Sequence, residues 1–305
     1  MLVQQPIPIQ TLSHPILEEK AIQLDVLRLD KVHSEVSGNK FFKLKYNLEE
    51  AGKQEKRRIL TFGGAFSNHI YATAFAAFSA GLSSIGIIRG EDADLNNPTL
   101  RHAKKMGMVL QVVDRESYRN KDSPEFLEKL KAQFGQFYLI PEGGTNEFAI
   151  YGTKEILNNS HSEYSHICVS IGTGGTFAGL ASSLKSHQTL VGFSSLKGDF
   201  IKSEIENLLS KFGIKPEGKL EIQTGFHFGG YGKHKPDLID FMLWFYKEFK
   251  IPLDPIYTGK MVFGVWDLIE KDHFPSGSKI LLIHTGGLQG NAGFAEKAGI
   301  ELPTL

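Results

Sequence analysis

Between Ile171 and Phe177 the chain reads Gly172-Thr173-Gly174-Gly175-Thr176, directly after an apolar stretch, His166–Ile171. Where a strand meets a helix, such a run turns several backbone N–H groups and two hydroxyls toward one point, which suits a phosphate. A tight strand-to-helix turn that needs glycine for its backbone angles would use the same residues, so the run alone leaves both readings open. Its spacing narrows the kind of phosphate. Phe177 stands where GxGxxG has its third glycine, and after the next apolar stretch, Leu190–Phe193, Ser194 and Ser195 replace the acidic residue of a dinucleotide site. Gly175 is followed by Thr176 and Phe177 rather than by the lysine and hydroxyl residue of a Walker loop. A phosphate that belongs to neither ligand points to a phosphorylated cofactor such as pyridoxal 5′-phosphate (PLP).

Two further clusters carry reactive side chains. In Ser37-Gly38-Asn39-Lys40-Phe41-Phe42-Lys43-Leu44-Lys45-Tyr46, Lys40 lies between Asn39 and two phenylalanines. A lysine is ordinarily a solvated surface charge, but apolar packing of this kind desolvates an ammonium and lowers its pKa, as imine formation requires. Lys43 and Lys45 read as the exposed face of the helix that follows. Ser67-Asn68-His69 comes just after Gly63-Gly64. There Ser67 or Asn68 can cap a helix, or the cluster can bind a cofactor hydroxyl and a substrate carboxylate, and the two readings stand level.

The elements that must position these clusters follow from the alternation of short apolar runs with amphipathic stretches. Arg58–Phe62, Ser84–Ile88, Val109–Val113, Phe137–Ile140, His166–Ile171, Leu190–Phe193 and Lys279–His284 read as strands. Between them fall helices at His69–Gly81, Pro98–Met106, Ser123–Phe134 (with Ser123 as cap and Pro124 at its first position), Phe177–Leu184, Glu204–Phe212 and Lys235–Phe249. That order predicts parallel strands with crossover helices, an α/β fold. Gly63–Gly64, Gly172–Gly175 and Gly286–Gly287 all follow strands, where open α/β sheets bind ligands.

The 305 residues suffice for one large domain or two modest ones. With 34 basic and 34 acidic residues, nothing in the charge proposes nucleic acid or an anionic membrane as partner. Cys168 is the single cysteine, so no intramolecular disulfide can form; it sits in an apolar strand and reads as core. The start of the chain lacks the pattern of a signal peptide, no window has the length of a spanning helix, and a cytoplasmic enzyme is the expectation. Neither His161 and His166 nor His227 and His234 has a third donor at metal-ligand spacing, so no metal is expected.

Taken in order, these clusters resemble the PLP-dependent family of 1-aminocyclopropane-1-carboxylate (ACC) deaminases and D-cysteine desulfhydrases. The likeness runs from about Ile7 to Leu288 through Ser37–Tyr46, Gly63–His69, Ile140–Asn146, Gly172–Gly179, Tyr231–Gly232, Asp254–Lys260 and His284–Gly287. It implies the tryptophan synthase β-like fold: two open twisted parallel-sheet domains with helices on both faces. Residues 1–45 and 149–305 would build the large PLP-binding domain, and 46–148 a small α/β domain. It further implies that Lys40, beside Asn39, holds the cofactor as a Schiff base, and that Asn68 bonds the ring hydroxyl. Gly172, Thr173, Gly174, Gly175 and Thr176 would hold the phosphate. Tyr257, Thr258 and Thr285 would lie at the ring, and Ser67, Asn68, His69 and Tyr231 at the substrate, with Lys40, Ser67, Tyr231 and Tyr257 the catalytic set. A homodimer is the family's assembly.

Departures from the family pattern bear on substrate. Thr258 replaces the glutamate with which deaminases protonate the pyridine nitrogen, Thr285 replaces a leucine, and His69 a glutamine. A hydroxyl can only hydrogen-bond that nitrogen, which leaves a weaker electron sink. Opening a cyclopropane needs the stronger sink; expelling thiolate from a β-carbon does not. The expectation is β-elimination on a small amino acid, with D-cysteine giving pyruvate, ammonia and sulfide. ACC ring opening and elimination from another small D-amino acid are the alternatives, and a non-catalytic PLP-binding protein is the reading outside catalysis. Phe42 stands where the family usually has a basic residue, which marks a divergent branch.

Overall fold

Ten strands alternate with helices along residues 2–303, the part of the chain that the computed structural model describes. They are β1 (Ile9–Leu12), β2 (Gln23–Leu27), β3 (Arg58–Gly64), β4 (Ser83–Arg89), β5 (Met108–Val113), β6 (Tyr138–Ile140), β7 (His166–Ile171), β8 (Thr189–Ser194), β9 (Lys219–Gln223) and β10 (Lys279–Ile283). One sheet has the order β1-β2-β10-β7-β8-β9 and the other β5-β4-β3-β6. Every pairing is parallel except β1 with β2, an antiparallel edge of the kind often found on parallel sheets. The α/β architecture with parallel strands is the one the alternation predicts, and the two open sheets are what the family resemblance implies.

Strands buried on both faces read as continuous apolar runs, and each sheet shows why. In the four-stranded sheet, Leu60, Phe62, Ile85 and Ile87 pack on Tyr118, Leu130 and Phe137. The opposite face gathers Ile88 and Met108 with Ile70, Ala74, Leu100 and Ala103 of two helices. In the six-stranded sheet, Ile167, Val169 and Ile171 join one core, while Cys168, Val191, Phe193 and Leu282 join another. That second core is closed by helices Pro236–Phe249 and Thr258–Glu270. Burial pushes the Cys168 thiol far up, which suits packing and not nucleophilic work.

Helix Asn39–Lys53 ties the sheets together. Its Phe41, Phe42, Leu44 and Ala51 share one core with Ile59 and Ala72 on one side and with Ile167 and Leu281 on the other. The expected domain boundaries at 46 and 148 fall inside this helix and inside helix Glu147–Lys154. Among the described residues, no helix is long and apolar enough to cross a membrane.

Candidate active site

The glycine-rich ends of β3, β7 and β10 converge on a cavity of about 380 Å³. Its wall contains Asn39, Lys40, Ser67, Asn68, His69, Gly172, Thr173, Gly174, Gly175, Thr176, Tyr231, Tyr257 and Thr285. Thr258 is the one expected site residue that does not line it.

Lys40 enters from the first turn of its helix, and that turn is pinned to the end of β10. Gly38, at φ +67°, caps the helix; a Cβ there would lie 2.0 Å from the Thr285 carbonyl oxygen, so only glycine fits. The Asn39 amide donates to the same carbonyl at 3.2 Å. Lys40 Nζ donates to Asn39 Oδ1 at 2.9 Å, and Asn39 Nδ2 donates to Thr176 Oγ1 at 2.8 Å. Asn39 therefore joins the reactive amine to the glycine-rich loop. Burial lowers the Lys40 pKa to about 8, against the opposing pull of Asp254. A fraction of neutral amine at neutral pH is what attack on an aldehyde needs.

Lys43 corrects the sequence reading. It is 2% exposed, not part of a solvated face, and it lines the same cavity. Residues three apart on a helix share a face, so the side that presents Lys40 also presents Lys43. Lys43 Nζ donates to the Gly143 carbonyl at 2.8 Å and to Thr145 Oγ1 at 3.3 Å. It lies 3.1 Å from where a Cβ on Gly175 would stand, beside the glycine-rich loop. Burial, then the neighbouring Lys40 charge, push its pKa well down. An arriving phosphate dianion would reverse that effect. Lys45 does face outward and pairs with Glu155 at 2.7 Å.

At the end of β3, Ser67 caps helix Asn68–Ser79 by accepting from the Ile70 amide at 3.3 Å, and it lines the cavity as well. The two readings of this cluster are thus compatible. The Asn68 amide packs over the β10 turn, 2.8 Å from where a Cβ on Gly287 would stand. His69 is fixed by its neighbours. Thr61 Oγ1 donates to the Ile140 carbonyl at 2.8 Å, so at its 2.8 Å contact with His69 it must accept from Nε2–H. Nδ1 is left as a buried acceptor without a partner. Burial, then the charges of Lys40 and Lys43, hold the ring well below its usual pKa and hence neutral.

Asp254 organises the other side. Its carboxylate accepts from the amides of Ile256, Tyr257 and Thr258 at 2.8–3.0 Å and from Thr258 Oγ1 at 2.6 Å. The Thr258 hydroxyl also accepts from the Asp254 amide at 2.8 Å. Its one donor is spent on Asp254, so it has none to offer a ring nitrogen. Tyr257 does reach in: a Cβ on Gly172 would lie 3.0 Å from its ring. The Tyr231 ring meets it edge-on at 6.1 Å, and burial raises both phenols. Thr285 Oγ1 stands 3.3 Å from Ser170 Oγ. Glu142 is the sole carboxylate of the cavity wall, and Lys121 pairs with it at 3.3 Å.

These residues fit PLP. The loop at 172–176 offers amides and hydroxyls, with Gly174 at φ +80°, and Lys43 adds an amine that donates to Gly143 and Thr145 and, among the described residues, pairs with no carboxylate. A lysine of lowered pKa stands in the same space, as an aldehyde-bearing cofactor requires.

Fold and site together define a PLP-dependent enzyme of fold type II, and comparison with known proteins agrees. The family model described as pyridoxal-phosphate dependent enzyme matches residues 10–286. A Pyrococcus horikoshii protein provisionally named a 1-aminocyclopropane-1-carboxylate deaminase is 33% identical over 97% of this chain and 94% of its own. The mitochondrial bifunctional D-cysteine desulfhydrase/1-aminocyclopropane-1-carboxylate deaminase of Arabidopsis thaliana is 30% identical, over 95% of this chain and 78% of its own. A crystal structure of an ACC deaminase homologue superposes with a TM-score of 0.84 at 31% identity, covering 97% of this chain and 94% of that one. The chain belongs to the pyridoxal-phosphate dependent enzymes, and within them to the family of ACC deaminases and D-cysteine desulfhydrases.

Proposed function

We propose that the protein catalyses β-elimination from D-cysteine, which with water gives pyruvate, ammonia and hydrogen sulfide. Bound in the cavity, PLP supplies the electron sink for the charge left on Cα when its proton departs. Lys40 would hold the cofactor through its aldehyde, and its Nζ would accept the α-proton of the substrate. The carbon–sulfur bond breaks with its electron pair on sulfur. Thr173, Thr176, Lys43 and the amides of 172–176 anchor the phosphate, and Asn68 orients the ring. Ser67 and the first amides of helix Asn68–Ser79 receive the substrate carboxylate. Tyr231 and Tyr257 enclose the substrate, and the neutral His69 offers Nδ1 as an acceptor to the substrate's own donors. A homodimer of such chains is part of this reading.

The supporting observation is the chemistry of the cavity wall around Thr285, which the family likeness assigns to the ring. The Thr285 and Ser170 hydroxyls stand 3.3 Å apart there, and the one wall carboxylate among the described residues, Glu142, is engaged by Lys121. Hydroxyls leave the ring nitrogen unprotonated, enough for loss of a good leaving group and poorly suited to opening a cyclopropane. The test supplies D-cysteine and ACC in parallel to the PLP-loaded protein and assays both keto acids. Pyruvate with sulfide from D-cysteine alone supports the proposal. 2-Oxobutyrate from ACC would assign the protein to ring opening instead, and silence with both would move the search to other small D-amino acids.

A further inference from the structure

Residues 224–235 join β9 to helix Pro236–Phe249 without a helix or strand of their own, and Tyr231 stands in their middle. The backbone there is unusual: Phe228, Gly229, Gly230 and Gly232 all have positive φ. Such a stretch needs external ties to hold one shape. Rings of other elements pack on Phe226, Phe228, Tyr231 and His234, but among the described residues the hydrogen bonds that reach the backbone of 225–234 from another element come from Lys260. Its Nζ donates to the carbonyls of His227 and Gly230, each at 2.9 Å, and the second carbonyl belongs to the residue before Tyr231.

Lys260 is 1% exposed, and among the described residues its ammonium meets backbone carbonyls and no carboxylate within ion-pair distance. A buried ammonium costs stability that methionine or leucine of similar length would not. Asp254 offsets part of the cost by its charge. Lys260 is also the third residue of helix Thr258–Glu270, which begins directly after Tyr257. One helical turn thus carries Tyr257 by chain continuity and reaches Tyr231 through a side chain.

We propose that Lys260 is a positioning residue, whose ammonium clamps the 224–235 loop and so sets Tyr231 against the substrate. The role rests on the placement of Tyr231 at the substrate in the reading above. It predicts that Lys260 matters through Tyr231 and not through the fold at large.

The test pairs amide hydrogen exchange with a double-mutant cycle on the PLP-loaded protein. Exchange is independent of any substrate, so it stands even if D-cysteine is not turned over; that failure would count against the proposed reaction alone. Lys260→Met is expected to speed exchange in 225–234 by about tenfold while β7 and β10 keep their protection. Lys260→Gln, which keeps a donor, should restore part of the difference. With a turned-over substrate, Lys260→Met and Tyr231→Ala should each lower kcat/KM by about tenfold, and the double variant should match Tyr231→Ala within about twofold. Losses that multiply to about a hundredfold, unchanged loop exchange, or protection lost equally across β7 and β10 would each overturn the proposal.

Discussion

The two walls of the cavity are made of different materials. On the side of the six-stranded sheet, the groups that face inward are largely backbone amides, small hydroxyls and aromatic rings from 172–176, Thr285 and Tyr257. On the side of the four-stranded sheet they are functional side chains at strand ends: Ser67, Asn68 and His69 after β3, Arg89 at the end of β4, and Glu142 after β6. A wall of backbone holds one fixed ligand, because its donors have little freedom to move. A wall of side chains can be retuned by substitution. Helix Asn39–Lys53 stands between them and brings two lysines to the cavity, Lys40 for the chemistry and Lys43 for the anchor in the proposed reading.

Substitutions can break this division in order of expected effect. Lys40→Ala should cost about a thousandfold or more in turnover, since covalent attachment and proton transfer both go with it. Retained turnover would remove Lys40 from the mechanism. Lys43→Met, three residues on, should weaken PLP binding by about ten- to a hundredfold, the worth of charge-assisted hydrogen bonds. Turnover at saturating cofactor should change far less, and a titration of the apoprotein separates the two effects. Thr258→Val should act on stability. It removes the 2.6 Å bond to buried Asp254, at a cost of about 1–3 kcal/mol in urea unfolding, with little change in the product formed. Ser67→Ala should cost about 1 kcal/mol through the lost cap and raise KM through the carboxylate site.

The same buried amines give the apoprotein a pH dependence. The folded-state pKa of Lys40 is lowered from 10.5 to about 8 by burial, and those of Lys43 and Lys260 are lowered for the same reason. Between those pH values the unfolded chain binds more protons than the folded one, so stability rises with pH across that window. Below about pH 8 the contributions of Lys40 and Lys260 fade as both states are protonated. Lys40→Met should flatten the rise, as read by denaturant unfolding from pH 7 to 10.5.

Much of this arrangement was legible in the sequence. The glycine-rich run 172–176 and the aromatic neighbours of Lys40 mark two segments that meet at the cavity, while the role of Lys40 as the cofactor lysine is what the family resemblance implies. Ser123 and Pro124 marked a helix start that the chain uses as expected, with Ser123 accepting from Phe126. β1, β2 and β9 were missed: they lie at or toward the sheet edges, where polar residues such as Gln10, Gln23 and Glu221 break the apolar run. Lys43 was misread although its spacing of three from Lys40 was in plain view, because lysine carries a strong expectation of exposure. Thr258 was placed at the ring by analogy of position, whereas Asp254 four residues earlier takes its hydroxyl. Asp254 and Lys260 lay within the Asp254–Lys260 motif, but only three-dimensional contacts reveal what they hold.

In the proposed reading Lys40, and not the neighbouring Lys43, carries the cofactor. Borohydride reduction of the PLP-loaded protein, followed by peptide mass mapping, tests it most directly. A phosphopyridoxyl group on Lys40 alone is the predicted result. The same group on Lys43, or on neither lysine, would contradict the account.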